Sequence, residues 1–391
     1  MSNVGMRVRL TAPSRNSTLL FPFGMENASL NYPTMSVCIP TRNRMEMLRE
    51  AIESVLVQTF DDFELIVSDN ASTDRTEDVV GAFHDGRIRY VKLERDVGAI
   101  GNFNHCLGMA RGRYVCILND DDWMLPENLL QKARALDRHA GVGFVYSHYH
   151  LVDDRRRRIM FHPNFRQPER HSAIERGHDF VERSLLSGFA LIMSSVVFRR
   201  ECVETVGRFH EHLLYTADYE YWMRIALRYD VMLLAVPLVQ YRLHRASETT
   251  RYTTFRDGHF MPNPRGQEEL FKAKLSIVKA AKGVMPEWKS LAAAVRRYAG
   301  GQLACVVERE FVEERRRGRG FVFIAAMWVR YWRILSCGTV LRTLLISCAG
   351  KDGVRMLRRL KGHAALLKRS RREAAVLLSR GTQVRTPTDV T

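Results

Sequence analysis

Paired cysteines are missing from this chain. Its seven cysteines stand singly at positions 38, 106, 116, 202, 305, 337 and 348, with no Cys-x-x-Cys. Neither a disulfide framework nor a zinc site is indicated, and a reducing cytosol is the expected compartment. Long apolar runs are missing too. The longest strongly apolar stretch, Phe321 to Val329, has nine residues before Arg330 interrupts it, against about 20 needed to cross a bilayer, so no transmembrane helix is expected. Residues 1–33 lack an uninterrupted apolar core followed by a small-residue cleavage site, and read as a loosely ordered leader rather than a signal peptide. No Gly-rich phosphate loop follows the first strand, which argues against a nucleotidyltransferase. Internal repeats and low-complexity tracts are absent as well.

What is there describes a folded protein. Hydrophobic residues make up 46% and charged residues 26% of the 391, near globular averages. That length allows one large domain with an appendage, or two domains. The net charge of +17 is uneven along the chain: residues 265–391 hold 27 Lys+Arg against 10 Asp+Glu, and 33 of each precede them. All of the excess therefore lies in the last third.

From Met35 the pattern alternates between short apolar runs and segments of helical period. "MSVCIPT" precedes "MEMLREAIESVLVQ"; "FELIVSDN" precedes "STDRTEDVVGAF", where Ser72 or Thr73 is placed to cap a helix; "IRYVKLE" precedes "NFNHCLGMA"; "RYVCILN" follows. Such alternation implies right-handed crossovers and a mostly parallel, twisted sheet with helices on both faces, whose ligands collect beyond the carboxyl ends of the strands. Further helices are expected near His178 to Leu186 and Asp218 to Arg228. A strand with a Pro-marked break is expected at "VMLLAVPLVQYRLH". Past about Thr250 the strand signal fades. "TTRYTTFRDGHFMPNPRGQ" reads as a linker or substrate-gating loop, and the chain looks helical from Glu268 onward. The expected divisions are 1–33, 34–250 and a basic, mainly helical 251–391.

"CILNDDDWMLPEN" ends an apolar strand in Asp120, Asp121 and Asp122. Three adjacent carboxylates raise one another's pKa unless a counter-charge is present. Mg²⁺ or Mn²⁺ is the natural one, since these ions take oxygen ligands from one or two carboxylates and share the rest with phosphate and water. The other reading of the segment is a cap on the helix starting near Pro126.

The ordered series "SVCIPTRNR", "VSDNASTD" and "YVCILNDDDWMLPENL" resembles glycosyltransferase family 2, enzymes of the GT-A fold, over roughly Met35 to Thr250. The resemblance implies that Pro40, Thr41 and Arg42 line a nucleotide pocket and that Asp69 receives the base. It puts Asn102 near the donor phosphates. The family's Asp-any-Asp motif falls on Asn119, Asp120 and Asp121, which implies Asp120 near the ribose and Asp121 on the metal. Arg42 stands where the family often has an aromatic residue. Asn70, Ala71 and Asn119 replace two acids and a glycine of its motifs. For Asp69 and Asp74 the alternative is turn chemistry, favoured only at Asp74.

In "LLYTADYEYWMRIALRYD", Asp218 matches the family's catalytic base and Ala217 its preceding Glu; helix capping is the alternative. A carboxylate there accepts the proton of an attacking sugar hydroxyl, in a single inverting displacement. In "QYRLHRAS", His244 aligns with a histidine that approaches the metal or diphosphate, and Arg242 and Arg245 are placed to complement phosphate charge. The resemblance implies a nucleotide-sugar donor, UDP-sugar first with dTDP- or GDP-sugar as alternatives, and a glycan or lipid-linked acceptor. The basic, apolar-interleaved segments of the last third suit the surface of an anionic membrane at the inner face of the cell membrane. No nucleic-acid fold signature is present, and oligomeric state is not legible. The alternative from another class is a non-catalytic sugar-nucleotide-binding protein.

Overall fold

The strand "MSVCIPT" is buried along its whole length, and so is "FELIVSD", as expected of interior strands covered on both faces. In the computed structural model these are β1 (Met35–Thr41) and β2 (Phe63–Asp69), joined by α1 (Met45–Leu56). The structure describes residues 32–298 except 154, 156, 159–170, 188–190, 245–246 and 257–258, together with 302. The expected leader and the basic segments beyond 298 therefore lie almost wholly outside the described residues.

The chain continues through α2 (Thr76–Gly81), β3 (Ile88–Lys92), α3 (Gly98–Met109), β4 (Tyr114–Ile117), β5 (Trp123–Met124), α4 (Asn128–Arg138), β6 (Val142–Val152), β7 (Ala173–Glu175) and α5 (Gly177–Ser187). A 3-10 turn at Met193–Ser195 leads into β8 (Val196–Arg199), then α6 (Glu201–Val206), α7 (Ala217–Ala226), β9 (Asp230–Arg242), α8 (Glu248–Tyr252), β10 (Thr253–Arg256), β11 (His259–Pro262) and α9 (Pro264–Ala281).

The main sheet runs β3-β2-β1-β4-β8-β6-β9-β5, with β7 also on β9. β3, β2, β1 and β4 are mutually parallel. β8 enters antiparallel to both β4 and β6, while β9 is parallel to β6. Two reversals restore the direction, so β6 and β9 point the same way as β1 and β4. The ends of β1, β2, β4 and β9 thus share one edge with the turn that enters β8. The register pairs Thr41 with Asp69 there.

Alternation along the strands divides the core. Cys38, Ile66, Val115 and Ile117 face a cluster built with α3, α5, α7 and α9. Val37, Ile39, Leu65, Val67 and Cys116 face a second cluster built with α1 and α4. Burial of each such Val, Leu or Ile contributes about 1.5–3 kcal/mol. Ala273, Ile277 and Ala281 of α9 join Tyr219, Trp222 and Ile225 of α7 in the first cluster. The packed core therefore runs past residue 250.

Three local expectations need correction. The polar stretch after Thr250 is not a plain loop: it holds α8 and the β10/β11 hairpin. The Pro-marked break does not end β9. Pro237 lies within it, and the β6/β9 register shifts beside it, because proline offers no N–H to the ladder. Ser72 and Thr73 do not cap α2. Asp74 does the local work, accepting from the Thr76 N–H at 3.1 Å and its hydroxyl at 2.5 Å, while Ser72 Oγ accepts from Asn43 N–H at 2.9 Å.

Ala71 stands where the family motif has glycine, and its φ is +56°. A left-handed conformation costs a non-glycine residue about 1–2 kcal/mol, partly offset by the larger unfolded-state entropy of glycine. Ala71→Gly is therefore expected to stabilise by about 0.5 kcal/mol, read as a small rise in melting temperature. A fall would show that the Ala71 methyl makes contacts worth more than the backbone relief.

Candidate active site

The three aspartates point in three directions because three different elements meet at this edge. Asp120 is buried and accepts from Thr41 Oγ1 at 2.8 Å and from Arg44 Nη1 at 3.0 Å. Asp121 accepts from the same Arg44 nitrogen at 2.9 Å and lies 2.9 Å from His244 Nε2. Asp122 is fully buried, accepting from Ser194 Oγ at 2.6 Å, Asn119 Nδ2 at 3.4 Å and the Arg242 N–H at 3.0 Å. Asp122 thereby ties the end of β4 to the end of β9 and to the turn entering β8. Lys132 of α4 supports that turn from below, its Nζ donating to the Ser195 carbonyl at 2.7 Å.

The electrostatics follow from these partners. Burial, then the Asp121 charge, pushes Asp120 up to about 6. Burial acts on Asp121 in the same direction, but the His244 hydrogen bond and the Arg44 charge outweigh it and hold the carboxyl below its ordinary value. Asp122 is raised well above the usual carboxylate range, by burial first and Asp121 second. Burial alone brings Lys132 down to about 7, with the nearby Cys116 opposing.

Asp218 occupies the first turn of α7, half-buried, with Oδ1 accepting the Tyr219 N–H at 2.7 Å. Burial raises it to about 6. Its helix leads into β9, which is parallel to β6 and so starts at the edge opposite the aspartates. At the start of α8 the Glu248 charge acts on Arg44. At the other end Tyr252 stacks on Tyr215 at 4.9 Å and 11°, and Tyr215 feels the Asp218 charge.

Asp69 is fully buried, with Oδ1 accepting the Ser72 N–H at 2.8 Å and Oδ2 the Tyr90 hydroxyl at 2.6 Å. Both oxygens anchor the strand end. Asn102 is buried with both amide atoms on Ser68 of β2. Arg42 is exposed and paired with Asp96, which also accepts from Asn70 Nδ2 at 2.6 Å. Pro40 is a buried strand residue. Arg242 is committed to Glu50 and lies 4.8 Å over the Trp123 ring; Arg245 lies outside the described residues. On the β3–α3 side, next to Asp96, a cleft of about 530 Å³ is lined by Arg95, Gly101, His105, Arg208 and Glu211 among others.

Arg44, Ser194 and the inward role of Asp122 were not legible in the sequence. Arg44 sits in the quoted "PTRNR", but its partners lie 76 and 77 residues away. Among the described residues no three His, Cys, Asp or Glu side chains converge as a metal cage. The adjacent Asp121 carboxylate and His244 imidazole instead fit a divalent cation held by two protein groups, with its remaining positions left to phosphate and water.

Comparison with known proteins agrees with this geometry. Residues 36–200 match the model of glycosyl transferase family 2. The chain is 27% identical over 219 residues to an uncharacterized glycosyltransferase of Methanocaldococcus jannaschii, covering 55% of this chain and 72% of that one. It is 42% identical over 107 residues to the GalNAc(5)-diNAcBac-PP-undecaprenol beta-1,3-glucosyltransferase of Campylobacter jejuni, covering 26% of this chain and 35% of that one. The crystal structure of S. aureus TarS 1-349 in complex with UDP-GlcNAc shares the fold, with a TM-score of 0.52 at 17% identity over 87% of this chain and 92% of that one. With its motifs in order along a GT-A sheet, the chain carries a glycosyl transferase family 2 segment over residues 36–200 and is similar to glycosyltransferases beyond it.

Proposed function

We propose that the protein transfers a sugar from a nucleotide-sugar to a hydroxyl of a glycan or lipid-linked acceptor, inverting the anomeric centre, at a site that takes Mg²⁺ or Mn²⁺. The observation that carries this reading is the gathering of Thr41, Asp120, Asp121 and His244 at one sheet edge. Asp121 and His244 would hold the ion, which as a Lewis acid stabilises the departing diphosphate. Asp218 accepts the acceptor's proton as its oxygen attacks. A pKa near 6 leaves it ionised at neutral pH yet basic enough to work. Thr41 orients Asp120, and Arg42 with Asp96 forms the rim on the nucleotide side.

UDP-sugar is the favoured donor. The Campylobacter relative's name places its acceptor on undecaprenol diphosphate, which supports a lipid-linked acceptor here. The basic surplus of residues 265–391 supports attachment to an anionic membrane surface. No helix among the described residues is long and apolar enough to cross a membrane.

A thermal-shift panel of nucleotide-sugars with and without Mn²⁺ tests the reading. A donor at about 100 times its Kd stabilises by about 2.7 kcal/mol, so a shift of several degrees, larger with Mn²⁺, is expected for one member. No shift across the panel would sink the proposal. A shift without turnover on any lipid-linked acceptor would favour a binding protein.

A further inference from the structure

One nitrogen of Arg44 bridges both carboxylates expected to serve the donor site, at 3.0 Å to Asp120 and 2.9 Å to Asp121. Its side chain is 26% exposed, and those of Asp120 and Asp121 are 7% and 10% exposed. Burial opposes its charge, but Asp120 and then Asp121 outweigh burial and raise its pKa. The oxygen of Asp121 that faces Arg44 is also the one facing His244 Nε2. Arg44 and a divalent ion therefore compete for the same carboxylate oxygen.

We infer that Arg44 is the resident cation of the free site, so that the divalent ion binds weakly to the protein alone and strongly only together with a nucleoside diphosphate. This rests on the function proposed above. The charge count explains the coupling. Asp120 and Asp121 carry two negative charges when both are ionised, and Arg44 supplies one positive charge. A divalent ion added to that trio would leave a net positive, water-poor site, whereas a bound diphosphate restores the balance and offers the guanidinium new acceptors. Arg44 is thus a positioning residue. It keeps Asp120 and Asp121 from repelling each other before the donor arrives, and makes ion and donor enter as a unit.

Mn²⁺ titration followed by electron paramagnetic resonance reads this without turnover. Wild type, Arg44→Gln and Arg44→Lys are each titrated alone and with UDP, with circular dichroism and melting curves checking that the variants fold. Removing the competing charge is expected to tighten Mn²⁺ binding to the free protein by about tenfold or more. Arg44→Lys keeps a charge and is expected to stay near wild type. The gain in Mn²⁺ affinity conferred by UDP is expected to be large in wild type and to shrink by a similar factor in Arg44→Gln. Equal or weaker Mn²⁺ binding by Arg44→Gln alone, with the UDP effect intact in wild type, would overturn the role of Arg44 only. Absence of Mn²⁺ binding by wild type even with UDP would overturn the metal site itself.

Discussion

Asp218→Asn is expected to lower sugar transfer by about 10²- to 10⁴-fold, equivalent to about 3–5 kcal/mol of barrier, while leaving donor binding intact. The amide keeps the shape of the carboxyl but cannot take the acceptor's proton. Because burial holds the wild-type carboxyl at about 6, turnover should climb as pH rises through that value and then level off. Stability should move the other way. A carboxyl whose folded pKa lies above its unfolded value favours the neutral form, so its contribution is present below about pH 4 and is lost as pH rises through about 6. Asn imitates the neutral acid, so at pH 7 the variant should be more stable, by about 1 kcal/mol once the partial exposure of the group is allowed for. A helix cap without a role in transfer would leave turnover unchanged, since Asn caps a helix about as well as Asp. Turnover down and melting temperature up is the signature of the base; turnover unchanged would remove Asp218 from the chemistry.

The second large effect belongs to the aspartate that faces inward. Asp122→Ala leaves the Ser194 hydroxyl and the Arg242 N–H without their acceptor in a site sealed from water. Each buried donor so stranded costs about 1–3 kcal/mol, giving a loss of roughly 3–5 kcal/mol and a fall in melting temperature on the order of 10 °C. Asp122→Asn should cost less, because its amide oxygen replaces one acceptor while its NH₂ is turned against a donor. Transfer should fall in both, since Asp121 and His244 come from the two strand ends that Asp122 joins. An unchanged melting temperature for Asp122→Ala would show that water replaces the lost acceptor and that the junction does not depend on it.

The two substitutions separate what the sequence could and could not say about the same short run. That the apolar strand "YVCIL" ends in charge at the ligand edge was readable from period and from the order of the motifs. Which carboxylate faced outward was not. Asp120, Asp121 and Asp122 are chemically identical, and their directions depend on Thr41, His244 and Ser194, which arrive from distant parts of the chain. Asp69 shows the limit from the other side. Its place at the end of β2 is legible from the apolar run, while the partner of its Oδ2, the Tyr90 hydroxyl 21 residues on, is not. Asn102 is similar, because its neighbour in space is Ser68, 34 residues back.

By itself the sequence determined the alternating elements, the parallel strands buried on both faces, the edge where ligands collect and the segments that reach it. Hydrophobic period and turn chemistry are local properties, so short windows carry them. Only the tertiary structure decided that β8 reverses and β9 returns to the common direction, which is how His244 reaches Asp121 as the resemblance implies. It alone showed that Arg44 bridges two carboxylates, and that α9 belongs to the core. Those outcomes depend on which surfaces meet after the chain folds, and charge pairs formed across 77 or 123 residues leave no periodic trace in the order of the amino acids.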